Sequence, residues 1–146
     1  MEKLTFNYIL RKIKKLKFPK LDLIVAIGKD GIIPASLLQH FLNIPITVIW
    51  INYRDENNKP IRKEPKLMKS FKEIKNKKIL LVDSVSRTGK TLEKAKTLLK
   101  LSNESEKGLG NSKNLQSGNK IKTFVINGKA DYNIINKKEC VLMPWK

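Results

Sequence analysis

The residues with the most chemistry to offer lie together, in Asp83-Ser84-Val85-Ser86-Arg87-Thr88-Gly89-Lys90-Thr91. The segment holds a carboxylate, four hydroxyls, two cations and a glycine. Four apolar residues, Ile79 to Val82, precede it and read as a short buried strand. From Thr91 to about Leu101 the spacing turns helical, with Leu92, Ala95, Leu98 and Leu99 on the inner face. A strand, a tight polar turn and a helix start make an anion site. Unpaired N–H groups point out of the first helical turn, and Ser86, Thr88 and Thr91 add hydroxyl donors. Asp83 follows the strand at its carboxyl end, where open α/β sheets place their ligands. Phosphate donors beside an acid that can accept from sugar hydroxyls point to a phosphorylated ribose. The Gly89-Lys90-Thr91 ending also looks like a P-loop. That motif needs a first glycine where this chain has Ser84, and no acidic strand suited to Mg²⁺ follows.

A second unit of this kind lies upstream. Leu21 to Ile27 reads as a buried strand, and Gly28-Lys29-Asp30-Gly31 turns the chain. Pro34 then suits the first turn of a helix that carries Leu37, Leu38, Phe41 and Leu42 inward and stops near Asn43, before Pro45. Ile46 to Ile51 and Ile121 to Ile126 read as further strands. Thr5 to Lys17 reads as an amphipathic helix ended by Phe18-Pro19. Phe6, Ile9, Leu10, Ile13 and Leu16 share one face, opposite Arg11, Lys12, Lys14 and Lys15. An outer helix packed on a sheet explains that face better than a membrane-surface helix does. Alternating strands and helices with continuously apolar strands predict an α/β fold. The expectation is a single domain over 1–146, with a mainly parallel twisted sheet and helices on both faces. Residues 52–67, long, polar and interrupted by prolines, predict a flexible loop, with an exposed hairpin as the alternative. Residues 102–120, rich in Ser, Asn, Gly and Lys, predict a disordered low-complexity insert.

The totals narrow the class. A chain of 146 residues holds one sizeable core. No apolar run approaches the roughly 20 residues that span a bilayer, and no signal-peptide block is visible, so a cytoplasmic protein without membrane contact is expected. The single Cys140 excludes an internal disulfide and a thiolate metal cluster. The lone His40, in an apolar helical pattern, reads as an ordinary boundary residue. The net charge of +18 raises nucleic acid or an anionic substrate as partners. The cations are 27 Lys against 4 Arg, spread from Lys3 to Lys146. Base-reading surfaces favour Arg forks and interleaved aromatics. Non-specific, salt-sensitive nucleic-acid binding is therefore the expectation.

The central stretch resembles the 5-phosphoribosyl pyrophosphate (PRPP) motif of type I phosphoribosyltransferases. That motif runs four apolar residues, two acids, a short loop, then Thr-Gly-x-Thr and a helix. Ile79–Val82, Asp83, Thr88, Gly89 and Thr91 match it. Ser84 stands where the family has its second acid, and Arg87 where the purine branch often carries an Asp. The resemblance extends to the C-terminal run, which is similar to short xanthine–guanine phosphoribosyltransferase-like proteins. It places Lys129, Ala130-Asp131-Tyr132 and Cys140-Val141-Leu142-Met143-Pro144-Trp145 in a hood segment over 127–146.

The resemblance implies transfer of the phosphoribosyl group from PRPP to a purine base, a 6-oxopurine, with pyrophosphate released and Mg²⁺ as cofactor, in nucleotide salvage. It implies Asp83 and Lys29 as catalytic residues, Asp83 also being the metal ligand. Ser84, Ser86, Arg87, Thr88, Gly89, Lys90 and Thr91 would join Asp83 in binding the 5′-phosphate and ribose. Lys29, Asp30, Gly31 and Arg54 would face pyrophosphate, with Tyr53, Arg62 and Lys63 reaching in from the mobile loop. Lys129, Cys140 and Val141 would meet the base. A homo-oligomer, dimer or tetramer, is implied as well. Losing a charged hydrogen-bond partner at Ser84 removes ~1.5–3 kcal/mol. The departures therefore suit a slow enzyme or a non-catalytic relative that senses PRPP or a nucleotide.

Overall fold

The computed structural model describes residues 2–55, 59–101 and 116–146. Its main sheet has six strands in the order β4-β3-β2-β5-β6-β7. These are β2 (Leu23–Gly28), β3 (Ile46–Asn52), β4 (Lys66–Leu67), β5 (Lys78–Ser86), β6 (Lys120–Gly128) and β7 (Tyr132–Ile135). Every pairing is parallel except β3 with β4. A second, two-stranded parallel sheet joins β1 (Glu2–Lys3) to β8 (Val141–Leu142) and ties the two ends of the chain together. Lys137 pairs with Glu2 beside that junction. The α/β architecture with a mostly parallel sheet is the one expected.

Side-chain alternation along the central strands divides the core in two. Ile24, Ala26, Leu80, Val82, Phe124 and Ile126 face one side. There they meet Ile9 and Ile13 of α1 (Phe6–Lys15) and Ala35 and Leu38 of α2 (Ile32–Leu42). Val25, Ile27, Ile79, Leu81 and Val125 face the other side, against Leu92, Ala95 and Leu99 of α3 (Lys90–Lys100). Both faces are thus covered, which is why these strands read as unbroken apolar runs. Burying each of the larger of these side chains, Val, Leu, Ile or Phe, stabilises the fold by ~1.5–3 kcal/mol. The N-terminal helix starts on Thr5, whose side chain accepts from the Tyr8 amide. Its apolar face is narrower than expected: Phe6 is exposed, and its ring leans on Trp145. Among the described residues, no helix is long and apolar enough to cross a membrane.

The described parts of the two segments expected to be irregular carry specific pairings. In the 52–67 stretch, Arg54 bridges Pro60, the Ile61 amide donates to the Tyr53 carbonyl, and β4 pairs antiparallel with β3. The described part is a hairpin folded against the sheet edge. Of the expected insert, 102–115 lie outside the described residues. The remainder, 116–120, is ordered: Ser117 is buried and its hydroxyl donates to the Leu99 carbonyl, Asn119 caps three backbone groups, and Lys120 opens β6.

Candidate active site

β5 does not stop at Val82. It runs on through Asp83 to Ser86 because β6 pairs with it as far as Gly128, with Asp83 opposite Val125 and Ser86 opposite Gly128. The polar turn is therefore short, Arg87-Thr88-Gly89. Gly89 caps α3 with φ 80°, a left-handed conformation that glycine adopts without strain. The first turn of α3 leaves N–H groups facing the turn. Among the described residues, a long contact, 3.4 Å from the Lys90 amide to Thr88 Oγ1, occupies one of them from a side chain.

This turn is a ridge between two hollows. Ser86, Arg87, Thr88 and Gly89 line both. The larger hollow, about 850 Å³, also takes in Lys29, Asp30, Arg54, Asp83, Ser84, Lys90, Thr91 and Lys146. The smaller, about 450 Å³, lies on the far side and takes in Glu93, Lys96, Lys129 and Asp131. The structure thus brings the expected ribose, phosphate and pyrophosphate residues together except for Gly31, while Lys129 opens onto the neighbouring hollow. Cys140 and Val141 line neither. Val141 lies in β8, and Cys140 reaches the ridge through Arg87, whose Nη2 donates to its Sγ at 2.7 Å. Arg87 is therefore turned toward the C-terminal segment.

The Lys29 turn joins β2 to α2. Its Gly28–Lys29 peptide is cis. Gly31 sits behind the cleft, not in it. Its amide donates to the Ile27 carbonyl at 2.8 Å, so that N–H is already spent within the fold. A Cβ at Gly31 would lie 2.4 Å from the Val82 carbonyl oxygen and 2.7 Å from that of Ile27. The glycine is needed because the turn packs directly on the end of β5, not for a left-handed backbone. Lys29 is exposed at the cleft mouth, and Asp30 is half-buried with Lys146 Nζ 3.9 Å from its carboxylate.

On the hairpin side, Tyr53 is buried and lines the cleft wall. Its ring lies under the Arg54 guanidinium, 5.0 Å from the centroid, and Lys90 Nζ approaches at 5.9 Å. Arg62 bonds Asn52 Oδ1 at 3.2 Å, and neither it nor Lys63 lines the cleft. Three exposed apolar side chains that the sequence did not single out, Trp50, Ile61 and Met68, do line it. The signal was an aromatic, Trp50, near the end of a strand whose other apolar residues are aliphatic.

Asp83 carries the strongest electrostatic perturbation. Packing of protein around its carboxyl penalises the charged form and raises its pKa from 3.8 to about 7. The Ser84 amide, donating to Oδ1 at 2.8 Å, works against this. Asp30 adds a smaller upward push and Lys146 a downward one. A half-buried acid titrating near neutrality inside a polar cleft is a common mark of a functional site.

Residues 6–106 match the family model described as a phosphoribosyl transferase domain. The chain belongs to this family. No curated protein matches the sequence. Among solved structures, the chain is similar to a purine phosphoribosyltransferase from Pyrococcus horikoshii, with 27% identity and a TM-score of 0.72 over 99% of this chain and 93% of that one. It is also similar to a hypothetical protein from Neisseria gonorrhoeae with bound ppGpp, at 25% identity and a TM-score of 0.69, covering 99% and 89%. A xanthine–guanine–hypoxanthine phosphoribosyltransferase from Helicobacter pylori shares the fold at 15% identity and a TM-score of 0.66, covering 99% and 90%.

The cleft of this phosphoribosyl transferase domain suits the Mg²⁺ that the family generally uses with PRPP. Mg²⁺ takes hard oxygens, retains several waters and relies on one or two carboxylates plus substrate phosphates. Asp83 supplies such an oxygen beside open space. Among the described residues, no group of three or more His, Cys, Asp or Glu side chains could hold a metal alone. Substrate oxygens would complete any shell.

Proposed function

We propose that the protein transfers the 5-phosphoribosyl group of PRPP to a purine base, a 6-oxopurine, and releases pyrophosphate, in nucleotide salvage. The observation that carries this is the cleft itself. Asp83 near the end of β5, the Arg87-Thr88-Gly89 turn with the start of α3, and Lys29 on the turn after β2 line one cavity of about 850 Å³. That volume lies within the range of small-molecule sites.

The roles follow from the groups. Thr88, Gly89, Lys90 and Thr91 offer amides and hydroxyls to the 5′-phosphate. Asp83 accepts from the ribose hydroxyls. Lys29 and Arg54 balance the charge of the departing pyrophosphate. Mg²⁺, when bound, would neutralise part of that same charge. The C1′–oxygen bond to pyrophosphate breaks with its electron pair left on that oxygen, a bond from C1′ to a purine nitrogen forms, and the proton of that nitrogen passes to water or to the released pyrophosphate. Arg87, drawn to Cys140, keeps its positive charge on the ridge, away from the ribose carbon where positive charge develops. Lys129, across the ridge, is the candidate donor to an exocyclic purine oxygen.

The test is pyrophosphate release from PRPP and Mg²⁺ with guanine, xanthine, hypoxanthine or adenine, and with Asp83→Asn as control. Base-dependent release lost in the control supports the transferase. A second reading, a nucleotide-binding regulator on this fold, is favoured by the ppGpp-bound neighbour and by the missing acid at Ser84. Nucleotide binding without release from any base would select it.

A further inference from the structure

The acid that the PRPP motif lacks at Ser84 has a counterpart on another turn. β2 and β5 are adjacent parallel strands, with Ala26 opposite Val82. Residues just beyond these positions are therefore neighbours, about 5 Å apart across the sheet. The Lys29-Asp30-Gly31 turn then folds back over the end of β5, so closely that Gly31 has no room for a Cβ beside the Val82 carbonyl. Asp30 precedes Gly31 and Asp83 follows Val82. Both carboxylates line the same cleft, and Ser84 beside them is buried. A cationic group already sits with them: Lys146 Nζ is 3.9 Å from Asp30 Oδ2, and its charge acts on Asp83 too.

We propose that Asp30 joins Asp83 as a carboxylate ligand for the divalent cation that accompanies pyrophosphate, with the Lys146 ammonium holding that place when no cation is bound. This rests on the phosphoribosyl reading above. The alternative role for Asp30 is repulsion. An acid placed against a pyrophosphate with no cation between them would only weaken binding. Two carboxylates from separate elements, the β2–α2 turn and the end of β5, with water and phosphate oxygens filling the remaining positions, match the usual Mg²⁺ environment. One carboxylate on its own leaves more of the shell to the substrate. The strand next to Asp83 offers no second acid, because Ser84 occupies its place and is only 5% exposed. Asp30 thus turns an apparent defect in each of two turns into one site.

The test is a titration of the intact protein with Mn²⁺ in the presence of inorganic pyrophosphate, read by the electron paramagnetic resonance signal of free Mn²⁺. Asp30→Asn should weaken Mn²⁺ binding at least about tenfold, comparably to Asp83→Asn. The double variant Asp30→Asn/Ser84→Asp should recover most of that loss. Lys146→Met should tighten Mn²⁺ about two- to threefold by removing an exposed competitor. Thermal melts of each variant check the fold, and both Asn variants keep the side-chain shape. If Asp30→Asn leaves Mn²⁺ affinity within twofold of the parent, or only tightens pyrophosphate binding, the proposal is overturned while the transferase reading stands. If the parent protein binds neither pyrophosphate nor Mn²⁺, both fall together.

Discussion

Asp83 concentrates opposing demands at one residue. Its folded pKa of about 7 lies above the unfolded value of 3.8. Between those values the folded chain holds more protons than the unfolded one, so stability falls as pH rises through that window. The contribution is fully present below about pH 4 and lost above about pH 7. Asp83→Asn, which stays neutral, should match the parent at pH 4 and be more stable at pH 8. The difference should be about 1–2 kcal/mol once solvent screening of a half-exposed group is allowed for. Thermal melts across pH 4 to 8.5 measure it. Function runs the other way, since a charged carboxylate is the better acceptor of ribose hydroxyls. The rate of pyrophosphate release under limiting PRPP should rise through about pH 7 in the parent and stay flat and low in Asp83→Asn. A variant that gained stability at high pH while keeping full activity would mean that Asp83 is merely a strained surface acid.

Among the elements, two glycines at the Arg87-Thr88-Gly89 ridge, Gly128 of β6 opposite Ser86 and Gly89 before α3, are opposites. Gly128 has φ 127°, and a Cβ there would lie 2.1 Å from the Ser86 carbonyl oxygen, against rigid backbone. Gly128→Ala should therefore pull β6 off the end of β5, costing at least about 2–3 kcal/mol, and weaken PRPP binding as the ridge shifts. Gly89 has φ 80° but open space around it. Gly89→Ala should cost only about 1–2 kcal/mol of backbone strain and leave the ridge in place. Urea unfolding together with PRPP titration separates the two.

The contrast also explains what the sequence revealed. The strand cores were legible because Ile24 to Ile27, Ile79 to Val82 and Phe124 to Ile126 are buried on both faces, and such strands must be continuously apolar. The last residues of β5 were not legible. Asp83 to Ser86 look like a loop, and only their pairing with Val125 to Gly128 makes them strand. Likewise β1 and β8 are two-residue partners from opposite ends of the chain, set by contacts no local window contains. The position of Asp83 directly after the apolar strand core and of Gly89 before a helix could be read directly. The separation of Lys129 from Asp83 by the Arg87-Thr88-Gly89 ridge could not, because it depends on which way β6 and its turn settle. Asp131 fixes that turn by accepting from the Thr123 amide and hydroxyl, and Asn133 by donating to the Gly128 carbonyl.

At the scale of the whole molecule the dominant property is charge. A net +18 on 146 residues attracts any polyanion, but attraction and recognition separate under salt. The cationic side chains are overwhelmingly Lys, compact charges without the planar fork that reads bases, and they are distributed from Lys3 to Lys146. Nucleic-acid binding should therefore be diffuse. A single-stranded RNA of about 20 nucleotides touching the surface at about four phosphates should lose about 50-fold in affinity between 50 and 200 mM salt. Uridine-only and mixed-sequence strands should bind alike. Fluorescence anisotropy of a labelled strand measures both. The cleft supplies the decisive comparison. If RNA binds the surface at large, PRPP at a saturating level should displace it no more than added salt of equal ionic strength. If the strand instead threads its phosphates past Lys29, Arg54 and Lys90, PRPP should release it completely, and Lys29→Ala alone should weaken binding about as much as it weakens PRPP binding. The dispersed lysines predict the first outcome. The same field should then serve the cleft by raising the local concentration of small phosphates, making PRPP association faster at low salt without fixing which base it meets.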